Sequence, residues 1–229
     1  MSNTKKTANF IMAFFSTIMF ISIVSRIIMP YISNLNENIV NNVVFPILLT
    51  IALLFFGSFQ GLLRYSYNKK ILRSSSVLLS ASTDKFNLNE RLWYYLLVAL
   101  IYFLPILKNP LSSKMIIIRI ILFIITLALI EILLKLSNRT IKIHFLKNGI
   151  LITGFDIRIG LPIVYGTQIH NDSGYYSYND IENYFIFPDY IDLYLILKQG
   201  KLTFKSNSEL ARQVSGILKQ NKIEMKKFT

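Results

Sequence analysis

Four stretches of this chain are apolar over nearly the full depth of a bilayer: residues 9–32 (NFIMAFFSTIMFISIVSRIIMPYI), 43–63, 92–107 and 115–136. A helix needs about 20 such residues to cross the hydrocarbon layer. Because lipid offers backbone groups no hydrogen-bond partner, a spanning segment of this kind must be helical. The stretch at 92–107 is short, so it must tilt little or borrow flanking residues. Only 16% of residues are charged, against about 25% in ordinary globular proteins, and the deficit lies before residue 136. The expected organisation is therefore a membrane α-helical region of four transmembrane helices over 1–136, followed by a water-exposed domain over 137–229.

The first span follows Lys5 and Lys6, as a signal peptide would. Its apolar run is too long for a signal core and no small-x-small site follows it, so a retained anchor is expected. Loop charges set direction. The connection after the first span, SNLNENIVNN, holds Glu37 and no Lys or Arg. The next, 64–91, holds Arg64, Lys69, Lys70, Arg73, Lys85 and Arg91. The third holds Lys108 and Lys114, and Lys135, Arg139, Lys142 and Lys147 follow the last span. Positive charge marks the cytoplasmic side. This pattern places the N-terminus, the 64–91 loop and the C-terminal domain in the cytoplasm of a cell (inner) membrane protein. Within 64–91, KKILRSSSVLLSAS reads either as a short interfacial helix on anionic headgroups or as a solvated loop.

Arg26, Arg119 and Glu131 fall inside apolar runs, where a charge costs about 2.5–3.5 kcal/mol at mid-bilayer on insertion scales. Arg26 and Arg119 both come near the outer end of their spans. They would either snorkel to headgroups or wall a polar outer cavity holding an anion. Glu131 precedes Lys135 by four residues, a spacing that pairs charges on a helix. Pro46 and Pro105 are placed to kink their helices.

From Thr140 the pattern changes to short alternating segments. TIKIHFL and ILITGF flank KNG as a hairpin, DIRIGLPIVYG reads as a strand broken at Pro162, and TQIHNDSG reads as an exposed loop. The segment YSYNDIENYFIF reads as the longest strand. YIDLYLILK and KLTFK flank QG as a tight turn, for roughly six antiparallel strands in all. SNSELARQVSGILKQNK reads as an amphipathic helix with Leu210, Val214, Ile217 and Leu218 on one face and a Ser206–Glu209 capping box. The NGI opening, the YSYNDIENYFIF strand, the KQGKLTF hairpin and the last helix together resemble bacterial multi-pass membrane proteins with a C-terminal PH-like domain, over residues 140–221. That resemblance implies a β-rich PH-like domain closed by a terminal α-helix, and a role in binding proteins, peptides or lipid headgroups. It transfers no site residue.

No catalytic, cofactor-binding or metal-binding motif is present. The chain has no cysteine, and His144 and His170 do not form a zinc-binding pattern. Gly-x-Ser-x-Gly and Gly-x-x-x-x-Gly-Lys are both missing. Asp172, Asp180, Glu182, Asp189 and Asp192 do not have calcium-loop spacing and read as a solvated strand face. Tyr175, Tyr176, Tyr178, Tyr184, Tyr190 and Tyr194 read mainly as packing residues. The net charge of +13 is interspersed with acids in the tail and carries no nucleic-acid recognition module. Lys69, Lys70, Arg73, Lys222, Lys226 and Lys227 are the candidate contacts to anionic lipid headgroups, each contributing about 1 kcal/mol near such a surface. The expected function is non-enzymatic: the tail binds a protein partner or the inner membrane surface, in self-protection or export. The alternative is a subunit of a transporter or channel that uses Arg26 and Arg119.

Overall fold

A computed structural model describes residues 3–83, 86, 88–107, 112–158 and 169–226. The break expected at Pro162 and the candidate Lys227 lie outside these. The N-terminal half is helical: α1 (Asn3–Ile32), α2 (Glu37–Ile39), α3 (Phe45–Ser74), α4 (Leu88–Phe103) and α5 (Ser113–Thr140). Among the described residues three helical segments are long and apolar enough to cross a membrane: Thr7–Ile32, Glu37–Ser74 and Ser113–Thr140. Helix α4 has 16 residues and tightens into a 3-10 turn at Leu104–Leu107. Of the two prolines expected to kink a span, Pro105 lies in that 3-10 turn and Pro46 directly follows the π segment at Val40–Val44. Helices α2 and α3 form one rod through a π segment at Val40–Val44.

The described residues of 64–83 do not form a solvated loop. Helix α3 continues to Ser74, and Val77–Ser82 then forms strand β1. Strand β1 pairs antiparallel with β2 (Lys142–Leu146), the first strand of the C-terminal region. Strand β2 forms the expected hairpin with β3 (Gly149–Thr153). After β4 (Ile169–His170) comes β5 (Gly174–Ser177), which completes an antiparallel sheet of order β1-β2-β3-β5. Strands β6 (Ile181–Ile186), β7 (Tyr190–Leu195) and β8 (Gly200–Lys205) form the second sheet, order β4-β8-β7-β6-β9, with β9 at Glu224–Met225. The two-residue strands β4 and β9 join it parallel, so the tail is not a simple set of six antiparallel strands.

The expected single strand over 176–187 is two strands in different sheets. Ser177 and Asp180 form a capping box around a 3-10 turn at Tyr178–Asp180, and this turn carries the chain from one sheet to the other. Similarly, Ile196–Lys198 forms a 3-10 turn before β8 in place of a tight hairpin. Helix α6 (Ser208–Gln220) is capped by Asn207, whose side chain accepts from Leu210 N at 2.8 Å, one residue later than the Ser206 expectation. It buries Ala211, Val214 and Leu218, with Leu210 and Ile217 packed beside them. The sheets close on Ile143, Phe145, Ile150, Ile152, Leu193 and Phe204, and Phe145 meets Phe204 edge to face at 5.4 Å. Tyr184 is fully buried and shares a hydrogen bond with Ser215 of α6 at 2.9 Å.

Candidate functional site

Where β3 ends, the chain enters the helices. Segment 154–158, which reads in the sequence as an ordinary strand, is held by three of them at once. Gly57 and Gly61 lie one turn apart on α3 and let that backbone come close: a Cβ on Gly61 would lie 3.1 Å from the Asp156 carbonyl oxygen and 3.1 Å from the Phe155 ring. Helix α5 contributes Ser137, whose Oγ donates to the Phe155 carbonyl at 2.6 Å, and Thr140, whose Oγ1 accepts from Phe155 N at 3.0 Å. Helix α4 contributes Tyr94, which donates to the Ile157 carbonyl. Ile157 adjoins a small apolar cavity lined by Leu53, Leu54, Gly57, Ile130 and Leu133. Irregular backbone next to apolar spans is tolerated only when buried in protein with its polar groups satisfied, and these partners meet that demand.

An ion-pair network surrounds this wedge. Arg158 Nε and Nη2 donate to the two carboxylate oxygens of Asp156, each at 2.8 Å, in the bidentate geometry that suits a guanidinium. Arg158 Nη1 also donates to Glu90 of α4 at 3.2 Å and to the His170 carbonyl, and Nη2 to the Asn171 carbonyl. Its guanidinium lies 5.0 Å from the Phe86 ring centre. Arg64 of α3 donates to the Arg158 carbonyl at 2.9 Å and approaches Asp156 at 3.7 Å. Four residues on, Asn68 donates to the Ile152 carbonyl of β3 at 3.1 Å. Asp156 is fully buried. Burial alone would raise its carboxyl pKa, but the charge and hydrogen bonds of Arg158, with Arg64 behind them, hold it well below the usual carboxylate range. In the same way, Asp156 outweighs desolvation and holds Arg158 well above its ordinary value.

Residues 169–174 are not an exposed loop in their polar part. Asn171 and Ser173 are buried. Asn171 adopts a left-handed φ of 53°, which its short polar side chain tolerates, and its Oδ1 accepts from Thr203 N at 2.7 Å. The acidic residues expected on one solvated face are instead distributed among separate partners. Asp180 caps Ser177, Asp192 accepts from Thr203 Oγ1 and Lys201 Nζ, and Glu182 lies 3.9 Å from Lys226. His144 bridges strands: Nδ1 is 2.7 Å from Ser80 Oγ of β1 and Nε2 is 3.0 Å from Thr153 Oγ1 of β3. Burial, with some help from Lys142, lowers its pKa. Tyr178 is pushed up to about 12, by burial first. Among the described residues no cluster of three or more His, Asp or Glu is arranged to hold a metal ion.

The intramembrane candidates separate. Arg26 is exposed on α1. Arg119 is 1% exposed and reaches inward, donating to the Tyr102 carbonyl at 2.7 Å, to Asn42 Oδ1 at 2.8 Å and to the Asn41 carbonyl at 3.3 Å. It thus satisfies acceptors at the end of α4 and in the π segment before α3, whereas Arg26 faces outward. Glu131 pairs across to α4, where Tyr95 donates to it and Arg91 lies 3.8 Å away. These partners are on α4, not at Lys135. Tyr102 joins three helices through Thr50 and Thr126, each at 2.9 Å.

The described basic candidates lie on the last turns of α3 and beside β9. From Arg64 to Arg73, α3 climbs about 13.5 Å at ~1.5 Å per residue, carrying Lys69 and Lys70 part of the way. In the second sheet, β4 is the edge nearest the bundle, because Arg158 bonds its His170. β9 is the opposite edge, so Lys222 and Lys226 lie about 14 Å beyond β8 at ~4.8 Å per strand. No protein-family model matches this chain, and no curated protein matches it.

Proposed function

We propose that the protein is a four-span inner-membrane protein whose cytoplasmic PH-like domain is a non-enzymatic binding module for a protein partner. Both chain ends lie in the cytoplasm in this reading, and α4 with its 3-10 extension is the fourth, short span. The observation that carries the proposal is the latch at Asp156–Arg158. Bonds to α3, α4 and α5, together with β1 donated from between the spans, fix the β domain rigidly to the helices. A module fixed in this way presents one constant surface at a constant height above the bilayer, as a docking platform requires. The transporter alternative needs Arg26 and Arg119 on one path, and their opposite placements count against it. Membrane-surface binding draws less support, because Lys226 already lies 3.9 Å from Glu182.

The test is affinity capture from gently solubilised membranes, comparing the full chain with one truncated after Arg139. The reading expects protein partners on the full chain only. Identical partners on both would show that the spans recruit them. Anion flux through the reconstituted full chain, lost in R119L, would favour the transporter.

A further inference from the structure

Strand β1 ends one sheet, and among the described residues its outer edge has no partner over its first half. Thr83 bridges to Phe204 at the other end, so β1 and β8 touch there and diverge above. At the open end a bulge lies between Val77 and Leu79, and a bulge of this kind re-aims a side chain. Val77 is 44% and Leu78 54% exposed, two adjacent apolar side chains at the open end of the edge. The next outward positions, Ser80 and Ser82, are small and polar. No described segment pairs with this edge, and an unpaired edge is a template for an incoming strand.

Charge identifies the occupant. The residues leading into β1 carry Lys69, Lys70 and Arg73, and its partner strand turns at Lys147, one residue beyond the Leu146 that faces Val77. The acid nearest in sequence to Lys69, Lys70 and Arg73 is Asp84, beyond the other end of β1. A second copy of the chain would bring the same bases face to face, so the potential disfavours it. An anionic bilayer offers no strand to an unpaired edge, so the open backbone groups favour an extended polypeptide.

We propose that the open edge of β1 binds an acidic, extended protein segment by strand addition, pairing along the open half, Val77–Leu79, with an apolar side chain over Val77 and Leu78. The basic residues around the edge steer the segment in. This deepens the binding-module reading and rests on it.

The test uses the full chain in neutral-lipid nanodiscs and two labelled nine-residue peptides, one alternating Val with Glu and the other alternating Val with Lys. The Glu peptide binds, at least tenfold more tightly than the Lys peptide, and its affinity falls with salt. L78E and R73E each weaken it at least tenfold while leaving the melting temperature unchanged. Equal binding of the two peptides, no binding of either, or full binding to L78E overturns the proposal. So does a dimer of the unliganded chain that L78E disperses, because the occupant is then a second copy. If L78E still captures from membranes every partner that the full chain captures, the β1 site fails while the binding-module reading stands. If the full chain captures none, that reading fails on its own.

Discussion

Replacing Asp156 with Leu should be among the most damaging single changes to this protein. Asp156 is completely buried, receives two 2.8 Å bonds from Arg158, accepts from Ser173 N at 3.2 Å and faces Arg64 at 3.7 Å. Removing it leaves two buried guanidinium groups with Glu90 as the main remaining counter-charge, at 3.2 Å from Arg158. Breaking a buried pair by deleting one partner costs about 3–5 kcal/mol. For a chain of this size, each 1 kcal/mol corresponds to roughly 2–4 °C, so D156L should melt about 6–20 °C lower. Replacing the whole pair with apolar groups is far less harmful. Adding R158M to D156L should therefore recover part of the loss, with Arg64 still held close to a backbone carbonyl. The assay is thermal unfolding of the detergent-solubilised chain, with proteolysis of the β domain as a second reading. A D156L midpoint within 1 °C of the wild type, or a double variant below the single, would refute the latch.

Other consequences follow from the same structure. G61A puts a methyl group 3.1 Å from the Asp156 carbonyl and should cost about 1–3 kcal/mol. G57A, with 3.7 Å of clearance, should be neutral or gain up to about 1 kcal/mol of helix propensity, and melting of the two variants checks the contrast. The folded pKa of Asp156 is depressed, so its contribution is complete above the unfolded carboxylate value near 4 and is lost as pH falls toward the folded value. D156N should therefore flatten the acid limb of a stability–pH curve. His144 is a base with a lowered folded pKa, so the unfolded chain binds its proton first. Stability should drop as pH falls below about 6.5 and level off below the folded value, and H144Q should remove that step in a melting series. R119L orphans the Tyr102 carbonyl and Asn42 Oδ1 and should destabilise the helices by about 1–3 kcal/mol per orphaned acceptor, whereas R26L should leave the melting temperature within 1 °C.

Much of this architecture is legible in the sequence where one physical rule acts alone. The apolar runs mark α1, α3 and α5, and the Lys147–Asn148–Gly149 punctuation marks the β2–β3 hairpin. Strands β7 and β8 show their alternation. The sequence misleads where long-range pairing overrides local character. VLLSAS lies between two spans and lacks polar alternation, so it does not read as a strand; only its partner β2, far along the chain, makes it one. Segment 176–187 alternates throughout, yet the Ser177–Asp180 capping box breaks it in two. The latch is the hardest part to foresee. Asp156 and Arg158 sit two residues apart in what reads as an ordinary strand, and Arg64 reads as a topology marker. The clue in reach was Gly57-x-x-x-Gly61 followed by Arg64 and Asn68, a small-and-polar stripe on one face of α3 that calls for backbone close by.

The central claim is that the segment between the spans and the C-terminal region form one domain on one side of the membrane. Ser82 and Lys142 are opposed across the β1–β2 ladder, where Cα atoms lie about 4.5–5.5 Å apart, within disulfide reach. Because the chain has no cysteine, S82C/K142C in native membranes gives a clean readout. The account predicts rapid, near-complete oxidation to an intramolecular disulfide, with S82C/K222C remaining reduced. Two thiols that stay reduced, or that are labelled from opposite faces of the membrane, would contradict it.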